Sequence, residues 1–581
     1  MKKLVIFFFL IFLCQFNIYG QKKLLYDVDT LNYRSRSGSF TMDSLDYYHT
    51  SQTTLNSGGS VFHPFGRFQQ CYTSFFSLLD NSFLPEQRIK VKYTVLPHLG
   101  FIYSTGSAGI QYMHTDFQHL LNKNTLLNFN YEINALGQAL RNGDFKNTAI
   151  DFLILYNSLK IKNNFIFRYK QHKMSLNNGL FDTTLVNTQA YALQEVITEN
   201  ANSVQKKANA FNQFSYNFKR DSNYFIGITT QNEWNIRHRE FKETGDINSF
   251  YSAIYIDSFE TRDQYQLASI SNAIGLKFEN IKGIQTEILL KHTYWDLQNL
   301  SRHHDTTEWY LLGDISFNKR NFFFNANIEF NVAGALGQKK FFQELEWKRP
   351  NWKIKTAYLF QQNYLLPEQR FYFSNNFSWD KNTFSIQTHQ QLFIQSEINK
   401  QKWLLIANCS WNQLLNKYFF DGVTFSNDTL NQLNFLSLSL KSSYKFSFFG
   451  VQPYLGFNYF PQNFAYAPML DSRVRLFFNK KMFKSKKLDF LLGVDLSYIT
   501  SHQLFDYQRS LGIYTLRNSN GKSNEYIGLD FFMGFELNVF RFYFKVEKID
   551  YLWSERNQWV VSKIPIAPML FRLGLTWDFF N

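Results

Sequence analysis

The densest group of metal-capable side chains in the sequence is His303-His304-Asp305, with His292 nearby. Imidazole nitrogens presented on a loop could bind a transition metal. Adjacent histidines on an extended segment point to opposite sides, however, and this spacing matches no strong zinc pattern. We therefore predict a solvated loop here, with no bound metal and no cofactor.

Two basic runs could serve another kind of chemistry. One is Arg237-His238-Arg239, and the other comprises Lys480, Lys481, Lys484, Lys486 and Lys487. With a sequence pI of about 9.3 and many aromatic residues, such runs could bind nucleic acid. The lysine run falls at a predicted turn, where it can meet lipid phosphates or water. Because we predict that the chain is exported, the membrane offers better partners for these charges, and we predict no nucleic-acid partner.

Catalytic motifs give no support for an enzyme. The sequence contains no Gly-x-Ser-x-Gly elbow, no His-Glu-x-x-His and no Gly-rich phosphate loop. Serine and histidine are numerous enough for a catalytic triad to arise through folding. We nevertheless predict that the protein is not an enzyme.

The first twenty residues form a predicted signal peptide. Lys2 and Lys3 precede an apolar run, Leu4 to Leu13, and small Gly20 ends a stretch typical of a cleavage site. This run is well short of the roughly 20 residues that a membrane-spanning helix needs. The mature chain keeps only Cys71 and Cys409. These could form a single bridge, although two unpaired thiols are the commoner case.

Composition favours a large antiparallel sheet. The chain has 65 Phe and 34 Tyr but only 10 Pro. Aromatic residues fit a pleated surface, whereas proline cannot donate to a ladder of strands. The mean hydropathy of −0.32 suits a membrane barrel, because every second residue of such a strand faces water.

Alternation with period two is the strongest structural signal. It is clear in Phe324 to Val332, Leu488 to Tyr498, Ile527 to Val539 and Met569 to Phe579. Segments of this length exceed the roughly 5–6 residues of a sandwich strand and match the roughly 9–11 of a membrane strand. Aromatic residues near their ends, such as Trp379 and Trp577, would lie at the bilayer interface.

Predicted lumen-facing residues are Asn325, Asn327, Glu329, Asn331, Asp489, Asp495, Asp530, Glu536, Asn538, Arg572 and Asp578. Predicted lipid-facing residues are Phe324, Ile328, Phe330, Leu492, Phe531, Phe535, Phe571, Trp577 and Phe579.

Connection lengths predict the topology. Short turns alternate with longer polar connections, the largest near 175–207, 238–263, 500–524 and 553–567. This pattern is typical of an all-β, transmembrane, antiparallel up-and-down β-barrel. We predict that residues 91–581 form about 20–24 strands, even in number; the upper count needs a strand at Tyr418 to Phe425. Residues 21–90 would be a polar periplasmic lead-in or a lumen segment, too short for the plug domain of energy-coupled receptors.

Several short motifs carry a family resemblance. A strand from Lys90 to Pro97 leads into the Tyr103-Ser104-Thr105-Gly106 turn and then Asp116 to Leu121. Gly137 to Asn142 and Asn177-Asn178-Gly179-Leu180 follow. The succession resembles the putative porin family of Bacteroidota-type bacteria, most clearly over residues 90–185. The resemblance implies an outer-membrane barrel with a porin role and brings no catalytic residues. Outer-membrane strands commonly finish on an aromatic residue that the assembly machinery reads, whereas here Asn581 follows Phe580.

A barrel of 20 or more strands encloses a lumen too wide for its side chains to fill. We therefore predict a porin-like channel in the outer membrane of a Gram-negative-type bacterium, for passive diffusion of small hydrophilic solutes. The alternative is a non-transport barrel that acts as a surface adhesion or assembly scaffold through its long loops. Expected partners are outer-membrane lipid, the barrel assembly machinery and the solutes, and the sequence leaves the oligomeric state open.

Overall fold

The structure, a computed structural model, describes residues 26–30, 89–93 and 97–580. Short gaps fall at 123, 138–139, 159, 191–192, 221–223, 246, 248–249, 281–282, 301, 381–384, 401, 427–431, 462–465, 467, 486, 505, 516–521, 555–558 and 567. The predicted signal peptide, most of the predicted lead-in at 21–90, and Cys71 lie outside the described residues. Within the lead-in, Tyr26–Thr30 pairs in parallel with Ile89–Tyr93.

The chain closes into one barrel of 22 strands, each antiparallel to its neighbours. This confirms the predicted all-β barrel with an even number of strands. We number the strands β1 (His98–Gly106), β2 (Gln111–Asn122), β3 (Thr125–Leu136), β4 (Phe145–Asn157), β5 (Ile161–Leu176), β6 (Ala201–Arg220), β7 (Tyr224–Thr244), β8 (Glu260–Asn280), β9 (Ile284–Asn299), β10 (His303–Lys319), β11 (Phe322–Ala333), β12 (Lys339–Arg349), β13 (Trp352–Asn363), β14 (Gln387–Lys400), β15 (Trp403–Leu415), β16 (Gln432–Phe446), β17 (Phe449–Tyr459), β18 (Leu470–Met482), β19 (Leu488–Ile499), β20 (Tyr526–Leu537), β21 (Phe540–Glu547) and β22 (Leu570–Phe580).

The first and last strands join the ends of the sheet. β1 pairs with β22 from His98 opposite Phe580 to Gly106 opposite Arg572. Closure satisfies the backbone groups that the edge of an open sheet would leave unpaired in lipid. Among the described residues, a one-turn helix, Pro367–Arg370, and three short 3₁₀ segments lie between strands. In the described part of the chain, no helix is long and apolar enough to cross a membrane.

The two ends of the barrel differ in their connections. Tight turns such as 320–321, 350–351 and 538–539 occupy one end. The other end carries the long connections, which span residues 177–200, 245–259, 364–386, 416–431, 500–525 and 548–569. The predicted strand at Tyr418 to Phe425 is wrong, because these residues lie in a long connection where only Phe419–Phe420 pairs with Phe425–Ser426. Local alternation alone cannot distinguish such a loop hairpin from a barrel strand.

Strands β6, β7 and β8 are 20 or 21 residues long, about twice what a membrane crossing needs. Their outward side chains change character along the strand. Trp234 and Ile236 of β7 are apolar and exposed, whereas the next outward residues include Glu240 and Lys242. The upper part of this wall therefore stands outside the apolar band and supports the long connections.

Candidate functional site

The inner wall of the barrel carries buried ion pairs where β18 meets β19. Asp495 accepts two hydrogen bonds from the Arg475 guanidinium, at 2.5 Å from Nε and 2.9 Å from Nη2. Arg473 Nη2 donates to the same carboxylate at 3.2 Å. The side chains of Arg475 and Asp495 are only 4% and 3% exposed, so neither charge is solvated and each depends on the other.

A second inward cluster joins β20, β21 and β22. Lys545 Nζ lies 3.0 Å from Glu547 and 3.1 Å from Asp530. Arg572 Nη2 donates to Glu547 Oε2 at 2.8 Å, and both of these side chains are almost fully buried. Because the strands alternate, each charge reaches the lumen side while its sequence neighbours face outward. The cluster cross-links three adjacent strands of the wall.

The seam between β1 and β22 is closed by side chains as well as by backbone. His98 is fully buried and lies between two carboxylates, with Nε2 3.0 Å from Asp578 and Nδ1 3.3 Å from Asp116. The imidazole thus connects the last strand to the first two. Sequence reasoning assigned Asp578 to the inner face but gave His98 no role.

The long connection between β19 and β20, residues 500–525, crosses the mouth of the barrel. Its short hairpin pairs Asp506–Gln508 with Ile513–Thr515, and the tip, Arg509 to Gly512, contacts β7. On one side of the ring eight strands (β21, β22 and β1 to β6) lie between β20 and β7. On the other side eleven strands (β8 to β18) lie between β7 and β19. The hairpin therefore reaches the opposite wall, and we call residues 500–525 the crossing loop.

Arg509 anchors the tip of the crossing loop. Its Nη2 lies 2.6 Å from Glu243 Oε1, and both side chains are at most 3% exposed. Its Nε lies 3.3 Å from the Tyr251 hydroxyl, which itself donates to Glu243 Oε2 at 2.8 Å. Nη1 donates to Thr198, and the guanidinium lies 4.3 Å from the centre of the Phe250 ring. One side chain thus joins the crossing loop to β7 and two other connections.

A second arginine holds the same tip from the wall. Arg239 of β7 donates from Nη2 to the Arg509 carbonyl at 2.8 Å and from Nη1 to the Ser510 carbonyl. Gly512 has a φ of +71°, and a Cβ there would lie 3.1 Å from the Arg239 guanidinium. Glycine is therefore favoured at this position by both its backbone conformation and its close approach to the arginine.

The connection between β13 and β14, residues 364–386, also folds inward over the wall. Asn375 donates from its backbone N to Asp263 Oδ1 of β8 at 2.8 Å, and from Nδ2 to the Asp257 carbonyl at 2.8 Å. Thr261 Oγ1 donates to Asn376 Oδ1 at 2.8 Å. These contacts hold the connection against the upper end of β8, below the connection 245–259.

An apolar core fills the space where these connections meet. Tyr372 stacks on Trp379 with ring centres 4.8 Å apart, and Phe377 packs edge-on to Phe420 at 5.4 Å. Buried residues of the crossing loop complete the core, which comprises Leu365, Tyr372, Phe377, Trp379, Tyr418, Phe420, Leu511 and Ile513. Three connections thus bury one another across the mouth. The prediction that Trp379 lies at the bilayer interface is wrong, because the ring belongs to this core.

The predicted inner-face residues fall into two groups in the structure. Those buried on the inner wall are Asn325, Asn331, Asp489, Asp495, Glu536, Arg572 and Asp578, and those partly buried there are Asn327, Glu329 and Asp530. Asn538 instead lies in the tight turn between β20 and β21, with a φ of +55°, and is exposed. The alternating sequence pattern continues past Leu537, where β20 ends, and this is why Asn538 was assigned to the inner face.

The predicted lipid-facing residues all lie on the opposite faces of their strands. Phe330, Phe571, Trp577 and Phe579 are exposed, and Phe324, Ile328, Leu492, Phe531 and Phe535 are partly covered by their neighbours. Trp577 packs edge-on to Phe540 with ring centres 5.8 Å apart. Neighbouring rings thus form a continuous outer surface around the closing seam.

The histidine group lies on strands, not on the predicted loop. His303 and His304 begin β10, where His303 Nε2 lies 2.7 Å from Asp296 and His304 stacks on Phe371. Among the described residues, no three His, Cys, Asp or Glu side chains are grouped to hold a metal. Arg237 and Arg239 both face inward, Arg237 lying 3.4 Å from Glu368. The lysine run lies at the turn between β18 and β19, with Lys486 outside the described residues.

Acidification should stabilise the folded position of the loops across the mouth, which we call the closed mouth. Burial raises the pKa of Asp263 from 3.8 to about 6, and burial also raises the pKa of Glu243. Opening would solvate both carboxyls and return them to ordinary pKa values. Because the closed form binds these protons more tightly, its advantage grows as the pH falls from about 6 towards 4. We expect a smaller open fraction at about pH 5 than at pH 7.5 in planar-bilayer recordings, and a weaker pH dependence in Asp263→Asn. A larger open fraction in acid would contradict this.

Solved structures that share the fold are described as an iron transporter, a ferric-catecholate import receptor and a copper transporter. The FrpB iron transporter of Neisseria meningitidis matches with 8% identity and a TM-score of 0.58, over 84% of this chain and 85% of that chain. The ferric-catecholate import receptor Fiu of E. coli K12 matches with 11% identity and a TM-score of 0.56, over 85% and 84%. The copper transporter OprC matches with 8% identity and a TM-score of 0.58, over 83% and 80%. At sequence identities this low, the similarity establishes a shared fold and nothing more.

These findings correct the function predicted from the sequence. Passive diffusion through an open lumen is wrong, because the solved barrels that share the fold are receptors and transporters, not diffusion pores. The crossing loop agrees with this correction, because it extends from β19 and β20 across the mouth to β7. The alternative, a non-transport adhesion or assembly scaffold, gains no support from these structures.

The family is identified by sequence. No curated protein has a significant match to the chain. The sequence model of the family described as "Putative porin" matches residues 12–581, nearly the whole chain. That range includes every strand of the closed barrel and the segment 90–185 that carries the resemblance. The protein is an outer-membrane β-barrel and belongs to this putative porin family.

Proposed function

We propose that the protein is a gated outer-membrane transporter that takes up a small solute through its barrel. The observation that carries this proposal is the buried anchor of the crossing loop, in which Arg509 pairs with Glu243 on the opposite wall at 2.6 Å. The loop is held by these polar contacts and by the burial of Leu511 and Ile513, and it can open when a solute or a partner protein replaces both. Lids of this kind exclude solvent and keep the bound molecule from leaving by the side on which it entered.

The lining of the barrel supports a polar solute. Below the mouth, inward residues of β11 to β13 alternate charges of both signs: Glu344 lies 3.0 Å from Lys355, and Glu346 lies 3.1 Å from Lys353. Selectivity in such passages follows the charge and the width of the lining. A lining with mixed charges can accept a polar solute that carries both metal and carboxylate or phenolate groups.

We infer that the solute is a metal complex of small-molecule size. The support is the likeness to barrels described as iron and copper transporters and a ferric-catecholate receptor. Guanidinium groups at the mouth, Arg239 and Arg509, suit an anionic chelate, because arginine donates paired hydrogen bonds to oxygen anions. Aromatic rings beside them, such as Tyr251, offer a flat contact for an aromatic ligand.

The remaining sequence predictions enter this proposal unchanged. Residues 1–20 would direct export, and the barrel assembly machinery would insert the chain among outer-membrane lipids. The protein would act without catalysis. Cys71 and Cys409 would remain two thiols; Cys409 forms no disulfide within the described residues.

Planar-bilayer recording tests the gate. The full-length protein should be almost silent, whereas replacing residues 504–521 with a short Gly-Ser linker should give stable, wide channels. Heat-modifiable mobility in detergent checks that both barrels are folded. Stable open channels in the full-length protein, equal to those of the shortened variant, would overturn the proposed gate.

Ligand binding tests the solute class separately. Quenching of tryptophan fluorescence should report saturable binding of a ferric catecholate, with no response to glucose at the same concentration. The variant Arg239→Gln should weaken binding of the chelate in the shortened protein that lacks residues 504–521, where Arg239 no longer holds the crossing loop, because it removes a charge at the mouth. Equal responses to both ligands would refute the metal-complex class and leave the test of the gate unaffected.

A further inference from the structure

The lipid-facing side of the barrel is not uniformly apolar. On β7 to β9, three outward residues stand side by side at one register: Asn232 opposite Asn272, and Asn272 opposite His292. We call these three residues the amide row. With neighbouring strands about 4.8 Å apart, the row is about 10 Å long.

Its outward direction follows from the alternation of the strands. Next to Asn232, the β7 residue Thr229 is fully buried on the inner wall, and Trp234 is 54% exposed on the outer one. Along β8, Ile270 and Ile274 flank Asn272 and are 44% and 58% exposed. The amide row therefore shares its face with apolar side chains that are in contact with lipid.

The row also lies at membrane depth. Exposed apolar residues stand on its short-turn side, such as Ile228 and Leu276, and on its mouth side, such as Trp234 and Ile270. Outward charges begin only further up, at Asp296 of β9, Lys206 of β6 and Glu240 of β7. Amide and imidazole groups inside an apolar band are costly unless they meet hydrogen-bonding partners.

The opposite side of the barrel shows the contrast. Outward residues of β19, β20 and β22 are apolar at membrane depth, for example Leu492, Phe531 and Leu573. Both sides would face the same lipid if the protein stood alone in the membrane, so lipid contact gives no reason for this asymmetry. A protein neighbour on one side gives such a reason.

We propose that the amide row is the centre of a contact between copies of this chain within the membrane. The chemistry identifies a second copy as the partner, because an amide both donates and accepts hydrogen bonds and so pairs with itself across a two-fold axis. Small outward residues beside the row, Ala208, Ala210 and Ala268, let a neighbouring wall approach closely. His292 stacks on Trp309 with ring centres 4.6 Å apart, which borders the contact on one side.

Cysteine cross-linking in native membranes tests the contact directly. In a background that carries Cys71→Ser and Cys409→Ser, Asn232→Cys should form a covalent dimer on mild oxidation. Leu492→Cys, at similar depth on the opposite side, is the matched control and should stay monomeric. Equal cross-linking at both positions, none at Asn232→Cys, or capture of a different protein there would overturn the proposal.

The mass of the purified protein gives an independent test. Light scattering in mild detergent should show more than one copy of the wild type. The double variant Asn232→Leu, Asn272→Leu should be monomeric while it keeps heat-modifiable mobility. A folded double variant with the wild-type mass, or a monomeric wild type, would contradict the proposal. If the double variant does not fold, the cross-linking comparison decides the question.

Discussion

Arg509→Ala should raise the ratio of open to closed barrels by about two to three orders of magnitude. The substitution leaves Glu243 buried without its cation, and breaking a buried ion pair costs about 3–5 kcal/mol. It also removes the contacts of the guanidinium with Thr198 and Tyr251. Since about 1.4 kcal/mol changes a ratio tenfold, the closed mouth should lose most of its advantage. Open probability in planar bilayers measures the effect.

Two further variants distinguish loss of the Arg509 anchor from loss of a positive charge elsewhere at the mouth. Arg262→Ala removes an arginine at the same height on the outer face, where it lies 3.3 Å from Glu240 and is 63% exposed. Exposed pairs contribute about 0–1 kcal/mol, so this control should conduct like the wild type. Arg509→Lys keeps the charge but loses the planar donors and should have an intermediate effect. If the Arg509→Ala protein were as silent as the wild type, the gate would have to lie elsewhere.

Asp495→Ala should destabilise the barrel wall by about 3–5 kcal/mol, because it removes the carboxylate that lies 2.5 Å from the buried Arg475 guanidinium. Arg473, which is 27% exposed, can turn towards water and should add little to the cost. Urea unfolding of protein refolded into lipid vesicles measures the change, followed by tryptophan fluorescence. The midpoint should fall while the slope stays constant.

Lys481→Ala is the matched control on the same strand pair. Lys481 Nζ lies 3.9 Å from Asp489 and is 48% exposed, so its loss should change stability by less than about 1 kcal/mol. The double variant Arg475→Met with Asp495→Leu should recover much of the stability, because it removes both buried charges. Equal midpoints for Asp495→Ala and Lys481→Ala would show that the buried pair does not stabilise the wall.

Sequence by itself determined the barrel and the two faces of its strands. A membrane strand must alternate between water and lipid, so residues such as Asp495 and Phe571 can be assigned to a face from their neighbours alone. Closure also follows from local pattern, because the last alternating segment, Met569 to Phe579, has to remove the edge of the sheet. The observed pairing of Arg572 with Gly106 agrees with that expectation.

Only the tertiary structure decided what happens at the mouth. Arg239 looked like part of a basic run, and Trp379 like an interfacial ring, because both fit a local pattern. Their true neighbours are distant in sequence: Arg239 and the Arg509 carbonyl are 270 residues apart. Contacts between loops depend on how closure of the whole barrel brings those loops together. The period-two pattern of the strands carries no information about these contacts. Passive diffusion was therefore predicted from the width of the lumen alone. The loops that fold across the mouth are the reason for proposing a gate instead.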